Sequence, residues 1–184
     1  MRVISGLYRG RRLNAPEGVV ARPTTDRVRE SLFAILQPRI PGARVLDLFT
    51  GTGVLAIESL SRGASFAVLC DVSPKSAAVA RKNLDACAVP PASARFMRMN
   101  AASAIRALHG ETFDIVFLDP PYAAGLYEPT LTLLAKSGLL APDGCVVLEH
   151  PSTVAPPYPP AYIAYDTRRY GTVGLTFLRA AAET

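Results

Sequence analysis

From residue 42 onward, short apolar runs alternate with helix-patterned stretches, and this alternation admits few folds. ARVLDLF is followed by GVLAIESLSRG, SFAVLCD by PKSAAVARKNLDAC, ARFMRM by AASAIRALH, and FDIVFLD by a helical pattern over 126–137. GCVVLEH is a fifth run of the same kind. Most of these runs are apolar nearly throughout, so both faces must be covered. Strand, helix and strand in succession then give a parallel sheet with helices above and below, the doubly wound α/β arrangement. Gly63 is placed to cap one helix and Pro74 to open the next. After the proline-rich loop PSTVAPPYPP, AYIAYDTRRYG and TVGLTFLRA read as an antiparallel hairpin at one edge of the sheet.

The opening of the chain is organised differently. Residues 2–5 and 11–14 read as two short strands around the turn GLYRG. In PTTDRVRESLFAIL, Val28, Leu32 and Ile35 fall at helical spacing, which predicts a helix over 25–37. The chain therefore divides into a basic hairpin and helix, 1–41, and an α/β domain, 42–184. Net charge is +5, and residues 1–30 hold seven arginines against three acids, which is +4 of that total. A basic segment so concentrated points to a polyanionic partner.

Several classes are excluded. With 49% hydrophobic and 19% charged residues the chain is globular, not disordered. No apolar run approaches the roughly 18 residues of a membrane helix. The start, MRVISGLYRGRRL, lacks the apolar core of a secretion signal, so a cytoplasmic protein without membrane contact is expected. Cys70, Cys87 and Cys145 are widely spaced and read as free core residues. His109 and His150 stand apart, and no metal site is expected.

Two motifs fall at strand ends. The first run leads into DLFTGTGVLA, where Gly51 and Gly53 let the backbone turn tightly before a helix N-terminus. No GK[ST] follows, so this is not a phosphate-gripping loop. Gly51-x-Gly53-x-x-Ala56 with Asp71 about 20 residues on matches the loose dinucleotide pattern, which leaves a nicotinamide cofactor open. Asp47, however, would repel a pyrophosphate and suit an ammonium group. A nucleoside bearing a ribose and an amino-acid tail fits both acids, and S-adenosylmethionine is such a molecule. The second motif is Asp119-Pro120-Pro121-Tyr122, a stiff, extended stop at the end of the fourth strand. In a doubly wound sheet that strand lies beside the first, so both motifs border one crevice.

RVISGLYRGRRL, RPTTDRVRESLFAIL, DLFTGTGVLAIESLSRGA and FDIVFLDPPY together make the chain resemble the RsmD family, bacterial guanine-N2 methyltransferases of 16S ribosomal RNA. The resemblance spans nearly the whole chain. It implies a class I methyltransferase fold, Rossmann-like, with a mostly parallel seven-stranded sheet and helices on both faces. It implies S-adenosylmethionine as cofactor and 16S rRNA within the 30S subunit as partner; a monomer is expected. By the family's motif roles, Asp47, Thr50, Gly51 and Gly53 hold the methionine part, Asp71 the ribose, and Asn100 and Ala101 the adenine. Asp119, Pro120, Pro121 and Tyr122 receive the target base. Asp71 stands where the family more often has Glu, and Asn100 where an acid is frequent.

These residue types suit that chemistry. The lone pair of a guanine exocyclic amine is delocalised into its ring. The Asp119 carboxylate and Pro120 carbonyl can accept its two N–H groups and favour a nitrogen aimed at the donor methyl, on a backbone the prolines fix in advance. Tyr122 offers a stacking face. Arg2, Arg9, Arg11, Arg12, Arg22 and Arg27 are expected on phosphates, with Arg168, Arg169 and Tyr170 as a second contact. Two alternatives stay open on the residues alone: an enzyme methylating adenine N6 or a protein glutamine, and a non-catalytic RNA-binding assembly factor.

Overall fold

A computed structural model describes residues 1–15 and 26–182. Helix α1 (Asp26–Leu36) leads through a short 3-10 turn into five strands: β1 (Arg44–Asp47), β2 (Phe66–Cys70), β3 (Ala94–Met97), β4 (Phe113–Leu118) and β5 (Leu140–Pro151). Between them lie α2 (Val54–Ser61), α3 (Pro74–Ala86), α4 (Ala101–Ala107) and α5 (Tyr127–Ser137), and β6 (Tyr162–Tyr170) and β7 (Val173–Ala180) follow. The seven strands form one sheet in the order β3-β2-β1-β4-β5-β7-β6. The first five are mutually parallel, and β7 runs antiparallel to both of its neighbours. The order reverses between β1 and β4, which opens a crevice at their carboxyl ends.

The predicted sheet and helices are present, with local differences that have physical reasons. The closing strands form the expected antiparallel hairpin at one edge, with β7 inserted between β5 and β6, so its first six residues are all buried. β6 takes the edge and keeps the exposure expected there. Ser73 caps α3 through the Ser76 N–H, with Pro74 at the first helical position, and Gly63 ends α2 at φ +102°. One face of the sheet packs against α1, α2 and α3, around Leu32, Phe33, Ile57, Phe117 and Phe177. The other packs against α4 and α5, around Ile105, Phe113, Leu131 and Leu148.

Residues 1–15 pack onto the first of these faces, burying Val3, Tyr8 and Leu13 in the same core. In place of two strands there is a single antiparallel bridge, Arg2 to Arg12. The reason lies in α2, where the carboxylate of the fully buried Glu58 accepts from the Ile4 and Ser5 N–H groups at 2.8 and 3.0 Å. Those backbone donors are turned away from the facing segment, so the ladder stops. The turn then docks on the last residue of α2, with the Leu7 N–H donating to the Ser61 carbonyl and the Tyr8 N–H to Ser61 Oγ. Gly6 is required there, because it has φ +83° and any Cβ would overlap the Ser61 carbonyl. Arg29 fastens the open end to α1, donating through Nη2 to the Arg2 carbonyl and to Asp26.

Candidate active site

Asp47 ends β1 with its side chain 1% exposed. Its Oδ2 accepts a 2.7 Å hydrogen bond from Thr50 Oγ1, while Oδ1 is buried with no hydrogen-bond partner among the described residues. Burial pushes this carboxyl up to about 7, opposed by the Thr50 hydroxyl and the Phe49 N–H and reinforced by the charge of Asp71. Gly53 takes φ +80° with the place of its missing Cβ only 3.0 Å from Leu69 Cδ2, so β2 and α3 pack closely under the loop. Asp71, at the end of β2, accepts from the Gly51 N–H at 2.9 Å and from the Ser73 N–H at 2.8 Å. It thereby holds the glycine loop against the start of α3, a bracing role beyond the ribose contact expected for it.

Asn100 caps α4 by accepting from the Ser103 N–H, which leaves its side-chain amide outward beside the buried Ala101. Val72, between Asp71 and Ser73, is 68% exposed. An apolar side chain in the open at this rim is a feature that the sequence reading did not single out.

Asp119 follows β4 directly, and Pro121 has φ −53° and ψ 124°, continuing the extended path until Tyr122 begins a 3-10 turn. Register places this motif next to the glycine loop. Asp47 pairs with Phe117, and Phe117 with Val147, so Asp119 and Glu149 each lie two residues further along the same face. Asp119, just past β4, and Glu149, near the end of β5, therefore stand side by side, with Asp47 two residues further back on β1. The Asp119 carboxyl is held well above its usual range by burial first, then by the charges of Glu149 and Asp47. Glu149 is buried and shares with Asp119 a narrow pocket walled by Leu32, Leu55, Phe117, Val147 and Leu175. Its main-chain carbonyl accepts a 2.6 Å bond from the Tyr127 hydroxyl.

The sequence reading overlooked Glu149, although GCVVLEH carries the signal of an acid near the end of an apolar strand. It also passed over Asn83, a fully buried polar residue in the apolar stripe of Ala77 and Ala80. Asn83 joins Asn14 to the carbonyl of Thr52, so the N-terminal segment is pinned to the glycine loop.

The expected RNA-binding arginines divide by position. Arg2, Arg11 and Arg12 lie towards the open end of the hairpin and are exposed, Arg2 also bridging Asp26 at 3.6 Å. Arg9 follows the turn, which docks at the far end of α2, roughly 12 Å from the glycine loop by helical rise. Arg27 is exposed on α1, and Arg22 lies outside the described residues. Arg168 and Arg169 are exposed near the β6–β7 turn, and Arg168 pairs with Asp166. Because Val173 pairs with Pro151, that turn emerges at the same edge of the sheet as Asp119.

A family model described as Conserved hypothetical protein 95 matches residues 1–179. Ribosomal RNA small subunit methyltransferase D of Escherichia coli K12 is 42% identical over 149 residues, covering 81% of this chain and 74% of that protein. The protein of the same name from Haemophilus influenzae is 34% identical over 150 residues, covering 81% and 78%. The chain belongs to the RsmD family. Among solved structures, that of yhhF from Escherichia coli matches with a TM-score of 0.87 at 37% identity, over 100% of this chain and 99% of that one. The family fold is the class I methyltransferase fold, whose cofactor is S-adenosylmethionine.

Proposed function

We propose that the protein transfers a methyl group from S-adenosylmethionine to the exocyclic N2 amine of one guanine in 16S rRNA. We infer further that it acts in the cytoplasm as a monomer on assembled or assembling 30S particles. The relatives named Ribosomal RNA small subunit methyltransferase D support the RNA class. The observation that carries the chemistry is the group Asp47, Asp119 and Glu149, with the rigid DPPY backbone at its centre.

The residues present fit the cofactor. Asp47 has one buried oxygen without a partner among the described residues, suited to an ammonium group. Asp71 keeps spare lone pairs for ribose hydroxyls, and Asn100, Ala101 and Val72 border the adenine position. When bound, S-adenosylmethionine supplies a methyl already activated on a sulfonium. The rest is positioning. Asp119 and the Pro120 carbonyl accept the two N2 hydrogens, which turns the nitrogen lone pair towards the methyl. Tyr122 stacks on the extruded base, worth about 1–3 kcal/mol. Asp119, whose proton affinity is raised by burial and by its acidic neighbours, is then suited to take the proton that nitrogen releases.

The test is nucleoside analysis of 16S rRNA from cells with and without the gene. Loss of one N2-methylguanosine, restored by the intact gene and not by D119A, supports the reading. An unchanged N2-methylguanosine content contradicts it.

A further inference from the structure

We propose that Asn83 is a positioning residue through which the basic N-terminal segment sets the cofactor loop, so that RNA on the segment and S-adenosylmethionine at the loop strengthen each other's binding. The inference rests on the reading of this segment as RNA-contacting and adds to it a link with the methyl donor.

The link is made by one side-chain amide. Asn83 lies on α3, fully buried, and all four of its hydrogen-bonding positions are used. Oδ1 accepts from the Asn14 N–H at 2.7 Å and from Asn14 Nδ2 at 3.1 Å. Nδ2 donates to the Asn14 carbonyl at 3.1 Å and to the Thr52 carbonyl at 2.9 Å. Three of these four bonds go to Asn14, and together they fix which way round the amide sits. The remaining N–H is thereby committed to Thr52. A second contact runs in parallel: the Thr52 hydroxyl donates to Met1 Sδ at 3.6 Å, while the Met1 carbonyl accepts from the Leu13 N–H at 3.0 Å.

Thr52 is where the loop needs such a hold. It stands between Gly51 at φ +53° and Gly53 at φ +80°, two residues whose backbones turn with little steric resistance. Asp71 fixes the Gly51 N–H, and the Thr50 carbonyl accepts from the Gly53 N–H. Between those anchors the Thr52 carbonyl is held by a residue whose own orientation depends on the N-terminal segment. When the segment shifts, Asn83 either follows Asn14 and leaves the loop or loses three partners in a buried place; both disturb Thr52.

The other end of the link faces solvent. Arg11 and Arg12 are exposed just ahead of Asn14, and Arg12 is bridged to Arg2. Chain ends are held less firmly than the core unless something ties them down. Phosphates bound by these arginines favour the seated segment, which is the arrangement that orients Asn83 and Thr52. A donor bound at the loop favours the same arrangement from the other side. Two ligands that favour one arrangement raise each other's affinity by the same factor.

The experiment uses labelled S-adenosylhomocysteine, the unreactive product of the donor, in equilibrium dialysis against the full-length protein, alone and with saturating unmethylated 30S particles. Particle binding is then measured with and without S-adenosylhomocysteine. Wild-type protein should bind the nucleoside roughly 5- to 20-fold tighter when particles are present, and bind particles tighter by the same factor. Asn83→Ala should bring both factors to within about two-fold. So should Asn14→Pro, which removes both donors to Oδ1 from an exposed position and carries the test should the buried substitution fail to fold. Damage to structure alone would weaken nucleoside binding equally with and without particles and leave the factor unchanged. Wild-type affinities that ignore the second ligand, or a factor retained in a folded variant, overturn the inference while leaving the RNA reading of the segment intact. Particle binding that is unaffected by replacing Arg11 and Arg12 with Gln overturns that underlying reading.

Discussion

Replacing Asp47 by asparagine should stabilise the cofactor-free protein and at the same time remove its hold on the cofactor. The carboxyl is 1% exposed and pushed from 3.8 up to about 7, chiefly by burial. Its folded pKa thus lies above its unfolded one, so the native state keeps a proton that the unfolded chain releases on passing pH 4. The stability this contributes is fully present below pH 4 and is lost as pH rises through 7. Roughly three units at 1.36 kcal/mol each set the penalty above pH 7 at about 4 kcal/mol. Asparagine carries no charge and can still accept from Thr50, but its amide then occupies the position where Oδ1 has no partner, at a cost of about 1–3 kcal/mol. The net gain at pH 8 is about 2 kcal/mol, a rise in Tm of roughly 4–8 °C for a chain this size. At pH 4 the variant should be the less stable protein. Thermal unfolding at both pH values without cofactor measures this, and titration with S-adenosylmethionine at pH 8 should show affinity weakened at least about 30-fold. An equal Tm offset at the two pH values would refute the burial argument. Unimpaired affinity would refute the ammonium contact.

Three further outcomes are expected. Asp119→Ala should abolish methyl transfer while leaving calorimetric cofactor binding within a few-fold, since the proposed site puts the cofactor at the β1 and β2 ends; a folded variant that no longer binds it would remove Asp119 from the substrate side. Replacing Arg9, Arg11 and Arg12 by Gln should weaken RNA binding and reduce the slope of log K against log salt by about 0.7 for each phosphate no longer neutralised, whereas an unaltered slope would return these arginines to solvated surface. Gly6→Ala should destabilise the protein by at least about 2 kcal/mol in denaturant unfolding, because the new methyl meets the Ser61 carbonyl and φ is positive; wild-type stability would show that the turn is not seated on α2.

The sheet was legible because strands covered on both faces must be apolar, and FDIVFL and VLD advertise this without any partner in view. The glycine loop and DPPY were legible for a related reason, since glycine and proline state their backbone demands locally. What escaped was set by other elements. Whether VGLTFLRA is an edge or an inner strand depends on where the returning chain inserts. The hairpin ladder stops because Glu58, some 50 residues away, captures its backbone donors. Asp71 braces Gly51 across a strand gap that no spacing rule reports. Glu149 becomes a site residue only once β5 is registered beside β4, an alignment fixed by pairing and not by local pattern.

The most direct measurement is transfer of labelled methyl from S-adenosylmethionine to free 16S RNA and to unmethylated 30S particles side by side, followed by digestion to nucleosides. Label in N2-methylguanosine, with particles preferred over free RNA, is the predicted result. Label confined to any other nucleoside would contradict the assignment of the DPPY pocket to a guanine amine.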